Sequence, residues 1–310
     1  MIFAKKVYIC FMNKKFSAYL AATGTVLLWG MSYIWADRLL ELGIPVEFFV
    51  PVRTLLAGLL LLCFNKASHR DMKLRGKDIP KFLMLALCMP FIYFVAETYG
   101  LKMTGSPTVT SLVIATNPIF AAAAGLLIFK EKFSLVNFLG VLVTLSGLFL
   151  VTYSHPETGP GFTLGVLILF IAVVSEVSQI AFTKSLSDTY APSVIVMYQF
   201  LAGAVLFLPL FLTKGIASFD ASLYFSWDVI YPTLALALLC SATAFTIWAF
   251  AIKHLGVAHT SVFLAVVPLI TAVLAALSGS ESLTPGQWGG LAVAMVGIVL
   301  TQIVVKKKAV

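Results

Sequence analysis

Three charged residues lie inside long apolar stretches of the sequence. Arg53 and Glu97 interrupt two such stretches in the first third of the chain, and Glu176 interrupts another just past the midpoint. A charge at the centre of a membrane helix costs about 2.5–3.5 kcal/mol on insertion scales, so such a residue usually has a function or a partner. A guanidinium binds carboxylates, and a carboxylate binds amines or a proton. We therefore predict a polar binding site built from these groups.

Polar and aromatic side chains share helix faces with these charges. At 100° per residue, Gln179 lies on the same face as Glu176, and Tyr93 lies one turn from Glu97. Trp29 and Tyr33 share an arc of the first apolar stretch, where Trp29 is near the middle and away from the interfaces that tryptophan prefers. The predicted substrate-binding residues are Trp29, Tyr33, Arg53, Tyr93, Glu97, Asn117, Glu176, Gln179, Tyr198, Thr243 and Trp248.

Each of these residues also has an ordinary structural interpretation. In this interpretation, Arg53 forms a structural ion pair with Glu176 or Glu97. Trp29, in the same interpretation, only packs in the core. If Glu176 has no partner, it can bind a proton or an amine-bearing substrate in alternation. If Arg53 lies within reach, Glu176 stays ionised and its role is structural. The sequence alone leaves these alternatives open.

The composition is that of a membrane protein. Hydrophobic residues make up 60% of the 310 residues and charged residues only 11%, and the mean hydropathy is +1.01. A soluble domain carries about 25% charged residues. The net charge of +8 comes from lysines and arginines between apolar runs, which indicates membrane topology and not nucleic-acid binding.

Ten apolar stretches are long enough to cross a bilayer as helices. They predict an all-α integral membrane fold with spans at residues 17–38, 46–64, 81–99, 107–129, 134–153, 162–184, 192–213, 229–251, 257–278 and 286–305. Two repeats of five helices each are expected, at 17–153 and 162–305, joined by an outer linker at 154–161. Residues 1–16 and 306–310 are the predicted tails.

The strongest internal repeat has an offset of 150 residues. Thr110 corresponds to Thr260, Pro118 to Pro268, Glu131 to Glu281, and Gly140 and Gly147 to Gly290 and Gly297. Each copy is expected to be a hairpin of two apolar helices. Pro118 and Pro268 predict mid-helix breaks whose free carbonyls face a cavity, or else ordinary packing kinks. Glu131 and Glu281 are predicted to cap the helices that follow them, near Ser134 and Thr284.

The distribution of basic residues predicts the orientation. With the N-terminus inside, 17 lysines and arginines fall in cytoplasmic segments and three in outer segments. Both termini are therefore expected in the cytoplasm. Because each half has an odd number of spans, the second half enters from the opposite side, and the repeat is inverted. Two inverted halves around one cavity are suited to alternating access, which predicts a transporter.

Glycines recur along the fifth and tenth spans, at Gly140 and Gly147 and at Gly286 and Gly290. Small residues at this spacing permit close helix approach, so we expect these two spans to pack together. A dimer interface is the alternative, and a monomer or weak homodimer is predicted.

The sequence resembles the EamA family of the drug/metabolite transporter superfamily. The resemblance rests on Trp29-Gly30, Arg53, Leu101-Lys102 before a Thr-Ser helix, and Glu131 followed by glycines. It implies ten helices around a cavity lined mainly by spans 1, 3, 4, 6, 8 and 9. It also implies export of amino acids or other small metabolites across the bacterial inner membrane. The second half departs from the pattern, with Glu176 near the expected Trp-Gly and Tyr198 at the Arg53 position.

A membrane enzyme acting on lipids or prenyl chains is the alternative function. It would need a metal or acid motif such as HExxH or paired aspartates, and the sequence has neither. The four cysteines show no metal-ligand spacing. We therefore predict a non-enzyme without cofactor or metal, whose partners are a small-molecule substrate and membrane lipids.

Overall fold

The protein is a bundle of helices joined by short connections. The computed structural model describes residues 2–120, 134–155, 159–216 and 221–302, and no strand occurs in those ranges. The α-helices are α1 (Ile2–Glu41), α2 (Val46–Ala67), α3 (Ile79–Ala86), α4 (Tyr93–Thr104), α5 (Pro107–Ile114), α6 (Leu135–Tyr153), α7 (Pro160–Ser187), α8 (Pro192–Leu210), α9 (Ala221–Tyr224), α10 (Trp227–Leu234), α11 (Ala244–Leu255), α12 (Val257–Leu264), α13 (Val267–Ser278) and α14 (Pro285–Thr301). The first helix is longer than predicted, because it begins at Ile2 and not at residue 17.

Six helical stretches of the described ranges are long and apolar enough to cross a membrane: Val46–Ala67, Gly76–Thr104, Leu135–Tyr153, Pro160–Ser187, Pro192–Gly215 and Trp227–Leu255. Val262–Ser278 and Pro285–Thr301 are shorter apolar helices. Large apolar side chains cover much of the surface, including Leu135, Phe149 and Leu277. The prediction of an all-helical membrane protein is confirmed, whereas the count of ten spans and their inverted arrangement stay predictions.

Several long helices are interrupted near the middle of the bundle. Helix α5 ends at Ile114 and the helix resumes just before Pro118, while α12 ends at Leu264 and α13 begins at Val267, one residue before Pro268. Each proline thus lies in the first turn of the resumed helix, where it needs no backbone hydrogen-bond acceptor. The two halves of the repeat are therefore broken at equivalent positions.

Two further interruptions were not predicted. A π-helical turn, Leu87–Ile92, joins α3 to α4 and contains Met89 with non-helical φ of −141° and ψ of 122°. A longer π-helical stretch, Ala235–Thr243, joins α10 to α11. Such turns leave carbonyls without their usual helical donors. Ser175 Oγ of α7 donates to the carbonyl of Cys88 at 2.6 Å and so satisfies one of them.

The glycines of α6 and α14 face each other, as predicted. A Cβ added at Gly147 would lie 2.3 Å from the backbone nitrogen of Ala294, and one added at Gly297 would lie 2.3 Å from that of Thr144. At Gly140 the nearest atom is the backbone nitrogen of Thr301, at 2.5 Å. The glycine rows thus serve packing between the two helices within one chain, where dispersion contacts hold membrane helices together.

The predicted capping role of Glu281 was wrong. Helix α14 begins with its own capping box, in which Thr284 Oγ1 accepts from Gln287 N at 3.3 Å and Gln287 Oε1 accepts from Thr284 N at 2.8 Å. These bonds supply partners for backbone N–H groups at the start of α14, so Glu281 is not needed as its cap. Likewise, Ser134 and Asn137 form a capping box at α6. Glu131 lies outside the described residues.

Candidate functional site

A narrow cavity lies where the interrupted helices meet. Its lining comes from both halves of the chain: Trp29, Ser32, Tyr33, Arg53, Met89, Tyr93, Phe94, Glu97, Ser111, Ile114, Ala115, Glu176, Phe245, Leu264 and Val267. About 30 Å³ is open to the centre of a water-sized sphere, so the cavity holds only a small number of waters. The cavity must therefore widen before it can hold a metabolite.

Arg53 of α2 is the cation of this cavity. Its side chain is buried, and the guanidinium carbon lies 3.8 Å from the centroid of the Phe94 ring. Stacking on an aromatic face holds the guanidinium plane and leaves its N–H edges available. Nε has no hydrogen-bond partner, and in the described part of the chain no carboxylate oxygen lies within 4.0 Å of an Arg53 nitrogen. Arg53 is thus held in position without a direct ion pair.

Glu97 of α4 lines the same cavity as Arg53. Tyr93, one turn earlier on the same helix, donates its hydroxyl to Glu97 Oε1 at 2.8 Å. Tyr33 of α1 lies beside both groups. Tyr93 therefore orients a carboxyl group that lines the same cavity as the Arg53 guanidinium.

Glu176 of α7 lies deeper and does not pair with Arg53. Its Oε2 atom is buried and has no hydrogen-bond partner among the described residues. Asn117 lies close enough to interact, but its Nδ2 also lacks a partner, so the two groups do not meet hydrogen-bond geometry. The structural ion pair of Glu176 with Arg53 is therefore not formed.

Aromatic side chains enclose the cavity on the α11 side. Trp29 lies 5.1 Å from Phe245 and 5.2 Å from Trp248 between ring centroids. Its indole N–H donates to the carbonyl of Cys240 at 3.3 Å, within the π-helical stretch Ala235–Thr243. Trp29 is thus oriented by a carbonyl that helix irregularity makes available, and it presents an apolar wall to the cavity.

Six of the eleven predicted binding residues line the cavity: Trp29, Tyr33, Arg53, Tyr93, Glu97 and Glu176. Asn117 lies beside Glu176, and Trp248 is buried behind Trp29. Gln179 is buried on α7, where its amide donates to Thr183 Oγ1 at 2.9 Å. None of these three lines the cavity, and neither do Tyr198 and Thr243. Tyr198 donates to the carbonyl of Met72 at 2.8 Å, and the exposed Thr243 donates to that of Leu238 at 2.8 Å.

The sequence prediction missed most of the apolar lining. Met89 lies within the π-helical turn of Leu87–Ile92 and Phe94 follows it. Ile114, Leu264 and Val267 flank the breaks near the two prolines. Pro90 was the available signal for the first group, because an internal proline interrupts a helix. The apolar residues next to the breaks carry no distinguishing sequence signal.

The sequence matches one protein-family model over nearly its whole length. The model of the EamA-like transporter family matches residues 16–153 and again residues 163–303. The chain belongs to the EamA-like transporter family. The resemblance found in the sequence is thereby confirmed, and this EamA-like protein is a multi-pass membrane transporter.

Relatives of this transporter cover most of its length. The chain is 24% identical over 313 residues to YetK, an uncharacterized transporter of Bacillus subtilis (strain 168), covering 99% of this chain and 92% of that protein. It is 29% identical over 231 residues to a probable terminal-alkyne amino-acid exporter of Streptantibioticus cattleyicolor (strain ATCC 35852 / DSM 46488 / JCM 4925 / NBRC 14057 / NRRL 8057), covering 73% of this chain and 74% of that one. A crystal structure of a protein 16% identical in sequence aligns with a TM-score of 0.67 over 92% of this chain and 96% of its own. That likeness shows a shared fold.

Proposed function

We propose that this transporter exports small amine-bearing metabolites, such as amino acids, across a bacterial inner membrane by alternating access. The observation that supports this most directly is the arrangement of Arg53, Glu97 and Glu176 around one cavity between the two halves. A zwitterion carries one carboxylate and one ammonium group. A cavity with one cation and two carboxyl groups offers a partner for each of them.

Arg53 has no direct ion pair among the described residues, and this matters for the proposal. If Arg53 were closely paired with Glu97, that ion pair would have to break before a ligand could bind. Breaking a buried ion pair costs a large free energy, because it leaves a buried charge without a partner. Here the guanidinium rests on Phe94, and Glu97 lines the same cavity without forming an ion pair with it. A substrate carboxylate can therefore take the N–H edges of Arg53, while its ammonium group takes Glu97 or Glu176.

The amino-acid export named for the Streptantibioticus relative supports the same class of substrate. The aromatic wall of Trp29 and Phe245 favours an apolar side chain on the substrate, because apolar surface gains free energy on leaving water. Because the cavity is narrow, we take this structure as a closed state of the transport cycle. In alternating access, the cavity then opens toward one face of the membrane at a time.

The experiment is reconstitution in liposomes with a panel of labelled amino acids, amines and carboxylic acids. Arg53→Gln should reduce transport of an amino acid at least about tenfold, because a lost hydrogen bond to a charged group costs about 1.5–3 kcal/mol. It should leave an amine that lacks a carboxylate unaffected. Arg38→Gln is the matched control, because Arg38 is exposed and pairs with Glu41 at 3.4 Å. Wild-type transport of amino acids by Arg53→Gln, or no competition by any zwitterion, contradicts the proposal.

A further inference from the structure

The turn after α13 directs an acidic side chain back toward the other half of the protein. Gly279 ends α13 in the left-handed conformation, with φ of 75°. Glycine adopts this conformation without steric cost. The backbone then reverses, and Glu281 N donates to the carbonyl of Ala275 at 3.3 Å. This reversal places the Glu281 side chain against the start of α5.

Glu281 binds two groups at the N-terminus of α5. One carboxyl oxygen accepts from the backbone N–H of Thr108 at 3.1 Å, and the other accepts from the Ser106 hydroxyl. The Ser106 hydroxyl oxygen in turn accepts from Val109 N at 3.0 Å. The first N–H groups of a helix have no partner within the helix, and the partial positive charge there favours an anion. Residues 175 apart in sequence thus complete one helix cap.

This contact lies beyond one end of the cavity. Ser111, Ile114 and Ala115 of the broken helix line the cavity, as does Val267 at the start of α13. Ser106 lies five residues beyond Ser111, or roughly 7.5 Å at 1.5 Å per residue. Glu281 follows the far end of α13. Ser106 and Thr108 are both fully buried at this level, and Glu281 is partly buried.

We propose that Glu281, Ser106 and Thr108 form a latch that closes the cavity toward the predicted outer face. Opening that face requires α5 and α13 to separate, and the latch bonds join their ends. Hydrogen bonds to an ionised group are about twice as strong as neutral ones, so the latch adds to the stability of the closed state. The inference rests on the proposed alternating access and assigns Glu281 a positioning role outside the substrate site.

The second half of the sequence repeat lacks the residues that bind Glu281 in the first half. Glu131 stands 150 residues before Glu281, but Gly256 and Ala258 stand where Ser106 and Thr108 stand in the first half. The hydroxyl that donates to Glu281 therefore has no counterpart in the second half. A side-chain latch of this composition serves one face only.

The latch is tested by the accessibility of the cavity. Ala115→Cys, in a protein whose four native cysteines are replaced, places a reporter thiol in the lining. A membrane-impermeant thiol reagent is added on the side that carries Glu281. Glu281→Gln should raise the labelling rate about tenfold, since it removes the charge from two hydrogen bonds. Glu41→Gln is the control, because Glu41 is half exposed and lines a surface pocket together with Gly279 and Ser280, next to Glu281.

A second variant separates the latch from a general loosening of the fold. Ser106→Ala should also raise the labelling rate, and it serves alone if Glu281→Gln is not recovered folded. The double variant should label no faster than the faster single variant, because both changes break the same bond. Equal rates for Glu281→Gln and Glu41→Gln, or a double variant whose effect is the product of the two singles, would overturn the latch. Labelling needs no substrate, so an error in the proposed substrate class leaves this test unaffected.

Discussion

Replacing Gly147 with alanine tests the packing of α6 against α14. A Cβ at this position would lie 2.3 Å from Ala294 N and 2.6 Å from Gly290 O, whereas ordinary contacts are 3.4–4 Å. Both opposing atoms belong to the backbone, so no side chain can rotate away. The two helices must therefore separate by about 1 Å.

The cost follows from the number of contacts that this separation weakens. A gap of 0.5–1 Å removes about a quarter to a half of the dispersion energy of each atom pair. The close contacts at Gly140, Gly290 and Gly297 lie along the same stripe and are weakened together. Overpacking of a close interface typically costs about 1–3 kcal/mol, and we expect Gly147→Ala to lie at the upper end of that range.

Gly289→Ala is the matched control on the same helix pair. No atom lies within 4 Å of a Cβ added at Gly289, and both glycines are helical. The gain in helix propensity, about 0.5–1 kcal/mol, is common to the two variants. The assay is the temperature at which the detergent-solubilised protein loses its monodisperse chromatographic peak. We expect a lower temperature for Gly147→Ala and no decrease for Gly289→Ala. Equal stability of Gly147→Ala and Gly289→Ala would refute the close packing.

Three further outcomes are expected. Glu176→Gln should fold with wild-type yield, since Oε2 has no hydrogen-bond partner among the described residues. In liposomes it should lower transport of an amine-bearing substrate about tenfold. A loss of folded protein would instead indicate a structural role for Glu176. Tyr190→Phe removes a hydroxyl that accepts from Arg75 N at 3.1 Å and donates to Asp78 at 3.0 Å. A protease should therefore cleave the segment of residues 68–75 faster in this variant. Tyr153→Phe is the control and should not change cleavage, because Tyr153 is exposed. Reporter fusions after residue 308 and within residues 155–160 should lie on opposite sides of the membrane, and the same side for both would contradict five spans in the second half.

The sequence by itself determined the class of protein and many of the residues that line its cavity. Composition and run length identify a membrane protein because the bilayer accepts only long apolar segments. Buried charge is costly wherever it occurs, so Arg53, Glu97 and Glu176 were recognisable without a structure. The glycine rows were also readable, since close helix approach depends on side-chain size at a regular spacing.

Tertiary structure alone decided which groups meet. Glu281 caps α5 and not the next helix, because the turn at Gly279 reverses the chain toward a segment 175 residues away from it. Tyr198 reaches the Met72 carbonyl and not the cavity, although it occupies the repeat position of Arg53. Arg53 rests on Phe94 because α2 and α4 bring the two together. Spacing along one helix determines the face on which a residue lies, but the partner on that face depends on how the helices pack.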